Sequence, residues 1–101
     1  MDIETATDKI KQKLAYAAGL NAIVKFDFGD DGAVVVDADE TPPEVSDDAD
    51  TEADVTLICT LDTFEGFLNG TQDPNMAFMM GKLKVKGSMG LALKLSSILE
   101  D

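Results

Sequence analysis

The chain has 101 residues, of which 20 are acidic, 8 are lysines and none is histidine, so its net charge is −12. This length predicts one domain over residues 1–101, because two separate cores would each be too small to be stable. The negative charge disfavours nucleic acid as a partner, since binding phosphates requires a basic face. No apolar run approaches the roughly 20 residues that span a bilayer.

The first predicted element is an amphipathic helix that starts at Ile3 and closes at Gly19. Its apolar positions Ile10, Leu14 and Ala17 recur at helical spacing, and its lysines lie away from this stripe. Such a helix either lies on a sheet or docks on a membrane, and the acidic first turn favours the sheet. The two roles are compatible.

Three strands are predicted next, over residues 22–28, 33–39 and 53–60. In the first, Val24, Phe26 and Phe28 occupy one face, and charged residues occupy the other. The turn Gly29-Asp30-Asp31-Gly32 should join the first two strands as an antiparallel hairpin. Residues 39–52 form an acidic connection to the third strand, which we expect to be mobile because of its like charges and low hydrophobicity.

Two short helices follow the third strand. Asp62 with Glu65 three residues later resembles a capping box, which predicts that the first helix begins there. Asn69-Gly70 should end it. The second helix should begin at Asp73-Pro74, because aspartate is a good cap and the first helical residue needs no N–H. Gly81 can take the left-handed conformation that ends this helix.

The last two predicted elements are a lysine-edged strand and a closing helix. Leu83 and Val85 alternate with lysines, which predicts a strand with one buried and one wet face, ended by Gly87. Ser88 is a suitable cap for the helix. The apolar residues of its stripe are Leu91, Leu95, Ile98 and Leu99, with Ala92 beside them. The order of helix, three strands, two helices, strand and helix indicates an α+β fold.

The residue types present argue against catalysis and against a metal site. Without histidine there is no common general base or zinc ligand, and Cys59 in a strand is expected to be a reduced, buried, packing thiol. The acidic turn does not fit a calcium loop, because counting from Asp27 places Ala38 where glutamate is required. We therefore predict no catalytic residue, no metal ligand and no cofactor.

Methionine and phenylalanine are concentrated around the last strand. Clustered Met and Phe on helices usually fill a core. Methionine is also flexible and polarizable, which suits a cavity that adapts to chains of different shape. Composition alone leaves both interpretations open.

The end of the chain closely resembles the signature of a known family. Residues 77–95 read Ala-Phe-Met-Met-Gly-Lys-Leu-Lys-Val-Lys-Gly-Ser-Met-Gly-Leu-Ala-Leu-Lys-Leu, and residues 53–57 read Ala-Asp-Val-Thr-Leu, followed by Phe64, Phe67-Leu68 and Asn69-Gly70. These residues resemble the sterol carrier protein 2 family, also called the non-specific lipid-transfer family. The glycines, the lysines and the apolar positions match in order over about residues 53–99, and the first half matches in layout.

The resemblance implies a small twisted β-sheet with helices covering one face and an apolar lipid-binding tunnel between them. It implies a non-catalytic carrier of fatty acids, fatty acyl-CoA, phospholipids or sterols. The residues then expected to line the tunnel are Val24, Phe26, Phe64, Phe67, Leu68, Met76, Phe78, Met79, Met80, Leu83, Val85, Met89, Leu91 and Leu95. Met80 departs from the family pattern, which often has glutamine there, so we expect no polar head-group contact at that position.

Two other functions stay open at this stage: an accessory module that presents a lipid-like substrate to a separate enzyme, and a structural domain with a filled core. Lys84, Lys86 and Lys94 allow a transient membrane contact or form an ordinary wet face. The chain begins with acidic residues and ends Leu99-Glu100-Asp101 without a peroxisomal tripeptide, so we expect a cytoplasmic location. The oligomeric state stays open.

Overall fold

The computed structural model describes residues 1–14, 21–38, 44–47 and 51–99. Within these ranges, four α-helices pack against a five-stranded mixed sheet, which confirms the predicted α+β class. The elements are α1 (Ile3–Leu14), β1 (Ile23–Asp27), β2 (Ala33–Asp37), β3 (Glu44–Ser46), β4 (Val55–Ile58), α2 (Leu61–Asn69), α3 (Pro74–Met79), β5 (Lys84–Gly87) and α4 (Met89–Leu99). None of the helices in the described ranges is long and apolar enough to cross a membrane.

The strands lie side by side in the order β3-β2-β1-β4-β5. Strands β1 and β4 are parallel, and the other neighbouring pairs are antiparallel. A 3-10 turn over Gly29–Asp31 joins β1 to β2, and the Phe28 N–H donates to the Gly32 carbonyl across it (2.9 Å). The predicted hairpin is confirmed.

One face of the sheet carries the core. Val24 lies between Val36 and Val55 on the neighbouring strands, and Phe26 pairs with Val34 and Leu57. All six side chains are buried. The helices add their buried residues to the same cluster: Ala6, Ile10 and Leu14 of α1, Phe64, Phe67 and Leu68 of α2, Ala77 of α3, and Ala92 and Leu95 of α4.

The prediction that residues 39–52 contain no strand is wrong at β3. Val45 pairs with Val36 on the outer edge of β2 and is half-buried against the core. A three-residue strand with a single apolar side chain has no alternation to detect, and its stability comes from hydrogen bonding to the edge of the preceding strand and not from its own residues. Residues 39–43 and 48–50, which the prediction also covered, lie outside the described residues.

The predicted start of α2 is also wrong. The helix begins at Leu61 and is capped by Thr60, whose extended backbone (φ −79°, ψ 161°) lets its hydroxyl accept a hydrogen bond from the Thr63 N–H at 3.1 Å. The Glu65 carboxylate does not close a capping box and lies 2.9 Å from the Met1 amino nitrogen. Leu61 is buried, so packing favours the earlier start.

Helix α1 confirms the predicted amphipathic helix as far as Leu14, with Ile10 and Leu14 buried in the core. Ala17 and Gly19 lie outside the described residues. The described strands are shorter than predicted at their ends: β1 starts at Ile23 and β4 starts at Val55.

Candidate functional site

Helix α3 stands at the surface and is tied to the chain on both sides by local hydrogen bonds. The Asp73 carboxylate accepts from the Asn75 N–H at 2.8 Å, and Pro74 is the first helical residue. The predicted cap is therefore confirmed. Beyond the helix, Gly81 adopts a positive φ of 80°, which is the left-handed turn expected there.

The helix has one inner and one outer face. Pro74 and Ala77, three residues apart, point inward and are buried. The Ala77 carbonyl accepts from the N–H groups of Lys82 and Leu83, at 2.8 and 3.1 Å, which closes the C-terminal end of the helix just before β5. These contacts fix the position of α3 although it is only six residues long.

The outer face of this segment is apolar and open to solvent. We call Met76, Phe78, Met79 and Met80 the α3 apolar face; their exposed fractions are 49%, 45%, 78% and 61%. Met76, Met79 and Met80 follow a spacing of three and four residues, so they share one side of the helical turn. Among the described residues, the other exposed large apolar side chains are Met89 and Leu93, both on α4.

Helix α4 is anchored on its inner side and lies over β4 and β5, beside α1. The Ser88 hydroxyl accepts from the Leu91 N–H at 3.3 Å, which confirms the predicted cap. Leu95 is completely buried, whereas Leu93 is 60% exposed. The helix therefore has a core stripe and an apolar position on its outer side.

The fourteen residues predicted to line a tunnel divide into three groups. Seven are buried in the core: Val24, Phe26, Phe64, Phe67, Leu68, Leu83 and Leu95. Val85 and Leu91 are half-buried. Met76, Phe78, Met79, Met80 and Met89 lie on the surface. The structure thus brings the first two groups together in one cluster and sets the third group outside it, and the assignment of all fourteen to a ligand site stays a prediction.

A cavity of about 220 Å³ opens at the carboxyl ends of β1 and β4. It is lined by Phe28, Gly29, Ile58, Cys59, Thr60, Gly81, Lys82 and Lys84. Sites for small organic ligands usually enclose roughly 300–1,000 Å³. This cavity is smaller, so a long acyl chain would not fit in it unless the segments that line it rearranged.

The prediction from sequence did not include two contributors to this region. Phe28 packs edge-on against Phe64, with ring centroids 5.3 Å apart, and lies at the wall of the cavity. Phe28 continues the alternation of Val24 and Phe26 along the first strand, so the sequence pattern could have placed it among the predicted lining residues. Ile58 faces the cavity from the other side of its strand, and no pattern in the sequence indicates that.

Cys59 is a buried thiol without a redox partner, as predicted. Burial, with a smaller contribution from the Asp27 carboxylate, raises the pKa of Cys59 to about 12. The thiol is therefore neutral at physiological pH and is a poor nucleophile.

The charge of the site differs from that of the remaining chain. Residues 74–99 contain four lysines and no acidic residue, so this segment carries a charge of +4. Since the net charge of the chain is −12, the remaining residues together carry −16. Lys82, Lys84, Lys86 and Lys94 are all exposed. Across the described ranges, no group of three or more Cys, Asp or Glu residues is placed to hold a metal ion.

Comparison with known proteins shows which families and folds this chain is similar to. A family model described as the SCP-2 sterol transfer family matches residues 3–100. Hydroxysteroid dehydrogenase-like protein 2 from Xenopus tropicalis is 50% identical over 54 residues, which is 54% of this chain and 13% of that protein. Sterol carrier protein 2 from Rattus norvegicus is 37% identical over 70 residues, which is 69% of this chain and 13% of that protein.

The matched segments thus span only 13% of the length of these two relatives. Among solved structures, palmitated SCP2L2 from Aedes aegypti superposes with a TM-score of 0.74 at 22% identity, covering 100% of this chain and 96% of that one. At this identity the likeness shows a shared fold.

Proposed function

Because the chain belongs to the SCP-2 sterol transfer family, we propose that it binds a lipid by its acyl chain or sterol-like body and transfers it, without catalysing a reaction. The observation that supports this most directly is the run of exposed methionine, phenylalanine and leucine on α3 and α4, above a shared apolar core. A related fold has been determined in palmitated form, which supports a fatty acyl ligand.

The proposed binding space lies between the two last helices and the core face of the sheet. Helix α3 fully buries only Pro74 and Ala77, whereas α2 buries Leu61, Phe64, Phe67 and Leu68, so displacing α3 would give up fewer core contacts than displacing α2. Moving it outward together with Gly81 and Lys82, which follow it and line the cavity beside Phe28, would widen that cavity and allow the methionines of the α3 apolar face to turn towards a ligand. Their unbranched, polarizable side chains adapt easily to such a change.

Apolar burial is sufficient to hold the ligand. Burying about 14 methylenes at roughly 0.8 kcal/mol each gives about 11 kcal/mol, from which several kcal/mol of association and ordering cost are subtracted. The result corresponds to micromolar or somewhat tighter binding. Because burial is non-directional, discrimination among lipids should be weak.

A chain-length series tests the proposal. Native mass spectrometry of gently purified protein should show co-purified lipid, and displacement of a fluorescent fatty acid should strengthen about fourfold for each added methylene until the cavity is filled. EDTA should leave these affinities unchanged, since the proposed site needs no metal. Absence of binding at every chain length would favour the structural domain with a filled core, and loss of binding on chelation would contradict the metal-free site.

A second function is favoured by one comparison. The relatives called hydroxysteroid dehydrogenase-like protein 2 match this chain over a small part of their length. This supports an accessory module that presents a lipid-like substrate to a separate enzyme. A coupled assay distinguishes the two: an accessory module should raise the rate of a partner enzyme beyond the effect of lipid solubilisation alone, whereas a carrier should match an unrelated lipid-binding protein.

A further inference from the structure

We propose that the α3 apolar face, together with Lys82 and Lys84, docks on the headgroup region of a membrane that contains anionic phospholipid. This inference extends the proposed function by naming the surface that meets the membrane. Single exposed apolar residues are common on protein surfaces. Here, however, four exposed large apolar side chains occupy one segment of six helical residues and its cap, and the remaining two in the described ranges lie on the next helix.

The geometry of α3 suits shallow insertion. Its anchors Pro74 and Ala77 point to the core, so Met79 and Met80, which are mostly exposed, can enter a membrane interface while the helix stays anchored. Lys82 follows directly, and the bond from its backbone N–H to the Ala77 carbonyl keeps it beside the face; exposed Lys84 lies two residues further on, at the start of the edge strand β5. Lysine can hold its ammonium group at phosphate depth while neighbouring apolar groups lie deeper.

Charge complementarity selects an anionic bilayer as the occupant. A second copy of this chain would present the same four lysines and no acid from residues 74–99, so two such faces would repel. An anionic membrane attracts this segment and repels the remaining residues, which carry −16. Since screening limits both forces to about 8–10 Å at physiological salt, the segment closest to the surface decides the orientation.

Helix α1 is a weaker candidate for docking. Its apolar residues Ile10 and Leu14 are 0% and 1% exposed, so its apolar stripe is already used in the core. Its lysines also share the helix with Glu4 and Asp8. The structure therefore favours the first of the two interpretations of α1, a helix lying on the sheet.

The chain has no tryptophan, so a single introduced one reports insertion at its own position. Met79→Trp should show a blue-shifted emission and quenching by brominated lipid with vesicles of phosphatidylcholine and phosphatidylserine, and a much smaller response with phosphatidylcholine alone. The matched variant Gln12→Trp, at an exposed position of α1, should respond to neither vesicle. A response at residue 12 and none at residue 79 would overturn the proposal, as would equal responses to both vesicles.

Vesicle flotation with charge variants gives an independent readout. Each lysine near an anionic surface contributes about 1 kcal/mol, or about fivefold, so Lys82→Gln with Lys84→Gln should lower the partition coefficient by up to about 25-fold. Lys9→Gln with Lys11→Gln removes the same charge from α1 and should change it less than about threefold. Equal losses in the two double variants would contradict docking through α3.

Concentration-dependent emission of Met79→Trp without vesicles would also overturn the proposal, since it would show that a second copy covers the face. Neither measurement uses a lipid ligand in the cavity. A protein that docks but does not bind fatty acid would contradict only the proposed function, and one that binds fatty acid but does not dock would contradict only this inference.

Discussion

Shortening Leu95 to alanine should loosen α4 and speed the release of a bound lipid, whereas the same change at Leu93 should have a much smaller effect. Leu95 is completely buried, so the change removes three carbons from the core at about 0.8 kcal/mol each, about 2.4 kcal/mol, and adds a cavity cost. A total of about 3 kcal/mol is expected. Leu93 is 60% exposed, so its loss should cost about 1 kcal/mol or less.

The two variants form a matched pair. Both replace leucine by alanine in the same helix, so the change in helix propensity is the same and cancels in the comparison. Urea denaturation gives the two free energies of unfolding. Stopped-flow transfer of a fluorescent fatty acid to excess vesicles gives the two release rates.

If α4 opens to release the lipid, destabilising its inner face by about 3 kcal/mol raises the open population by up to about 150-fold. Release from Leu95→Ala should then accelerate by a factor of that order, and release from Leu93→Ala by much less. Equal losses of stability would refute the assigned burial. A folded Leu95→Ala protein with normal release would show that α4 supports the fold without gating the site.

Two further predictions concern the backbone at Gly87 and the buried thiol of Cys59. Gly87→Ala should lower the free energy of unfolding by at least about 2 kcal/mol, because φ is 93° and a Cβ would collide with the Asp54 backbone. The control Gly81→Ala, at φ 80° in open space, should lower it by about 1 kcal/mol in the same urea titration. Equal losses would show that the collision at residue 87 relaxes. Cys59→Ser should lower stability by roughly 1–3 kcal/mol at pH 7. The native thiol keeps its proton up to a pKa of about 12, while the unfolded thiol ionises near its ordinary pKa of 9.0. Between these two values the unfolded state binds fewer protons, so the stability of the parent protein falls with rising pH there. The advantage over the serine variant should therefore shrink by about 1 kcal/mol by pH 10, and a constant difference would contradict the buried neutral thiol.

The elements that the sequence predicted well are those governed by local chemistry. Asp73 and Pro74 begin α3, Gly81 follows its end, and Ser88 caps α4, because each preference acts within a few residues. Strand β3 was missed for the opposite reason. Val45 contributes one apolar side chain, and its strand exists through pairing with Val36, nine residues earlier.

The candidate site was harder to predict because α3 carries two stripes at the same spacing. Pro74 and Ala77 are three residues apart, and so are Met76 and Met79. Periodicity alone does not say which stripe faces inward, and the larger methionines suggested a lining role. In the structure Pro74 and Ala77 are the buried pair, and the methionines lie on the exposed side.

Strand β5 lies at the edge of the sheet and pairs only with β4, so its hydrogen bonds can break while the other three strand pairs stay intact. Amide protons of β5 and α4 should therefore exchange with solvent through a local opening, and those of β1, between two neighbours, through unfolding of the whole sheet. Under the proposed function, the entry of a lipid beside α4 would then depend on the free energy of this local opening and not on that of unfolding the whole sheet. Exchange rates in these two elements would therefore report a local opening free energy that is smaller than the free energy of unfolding of the whole domain.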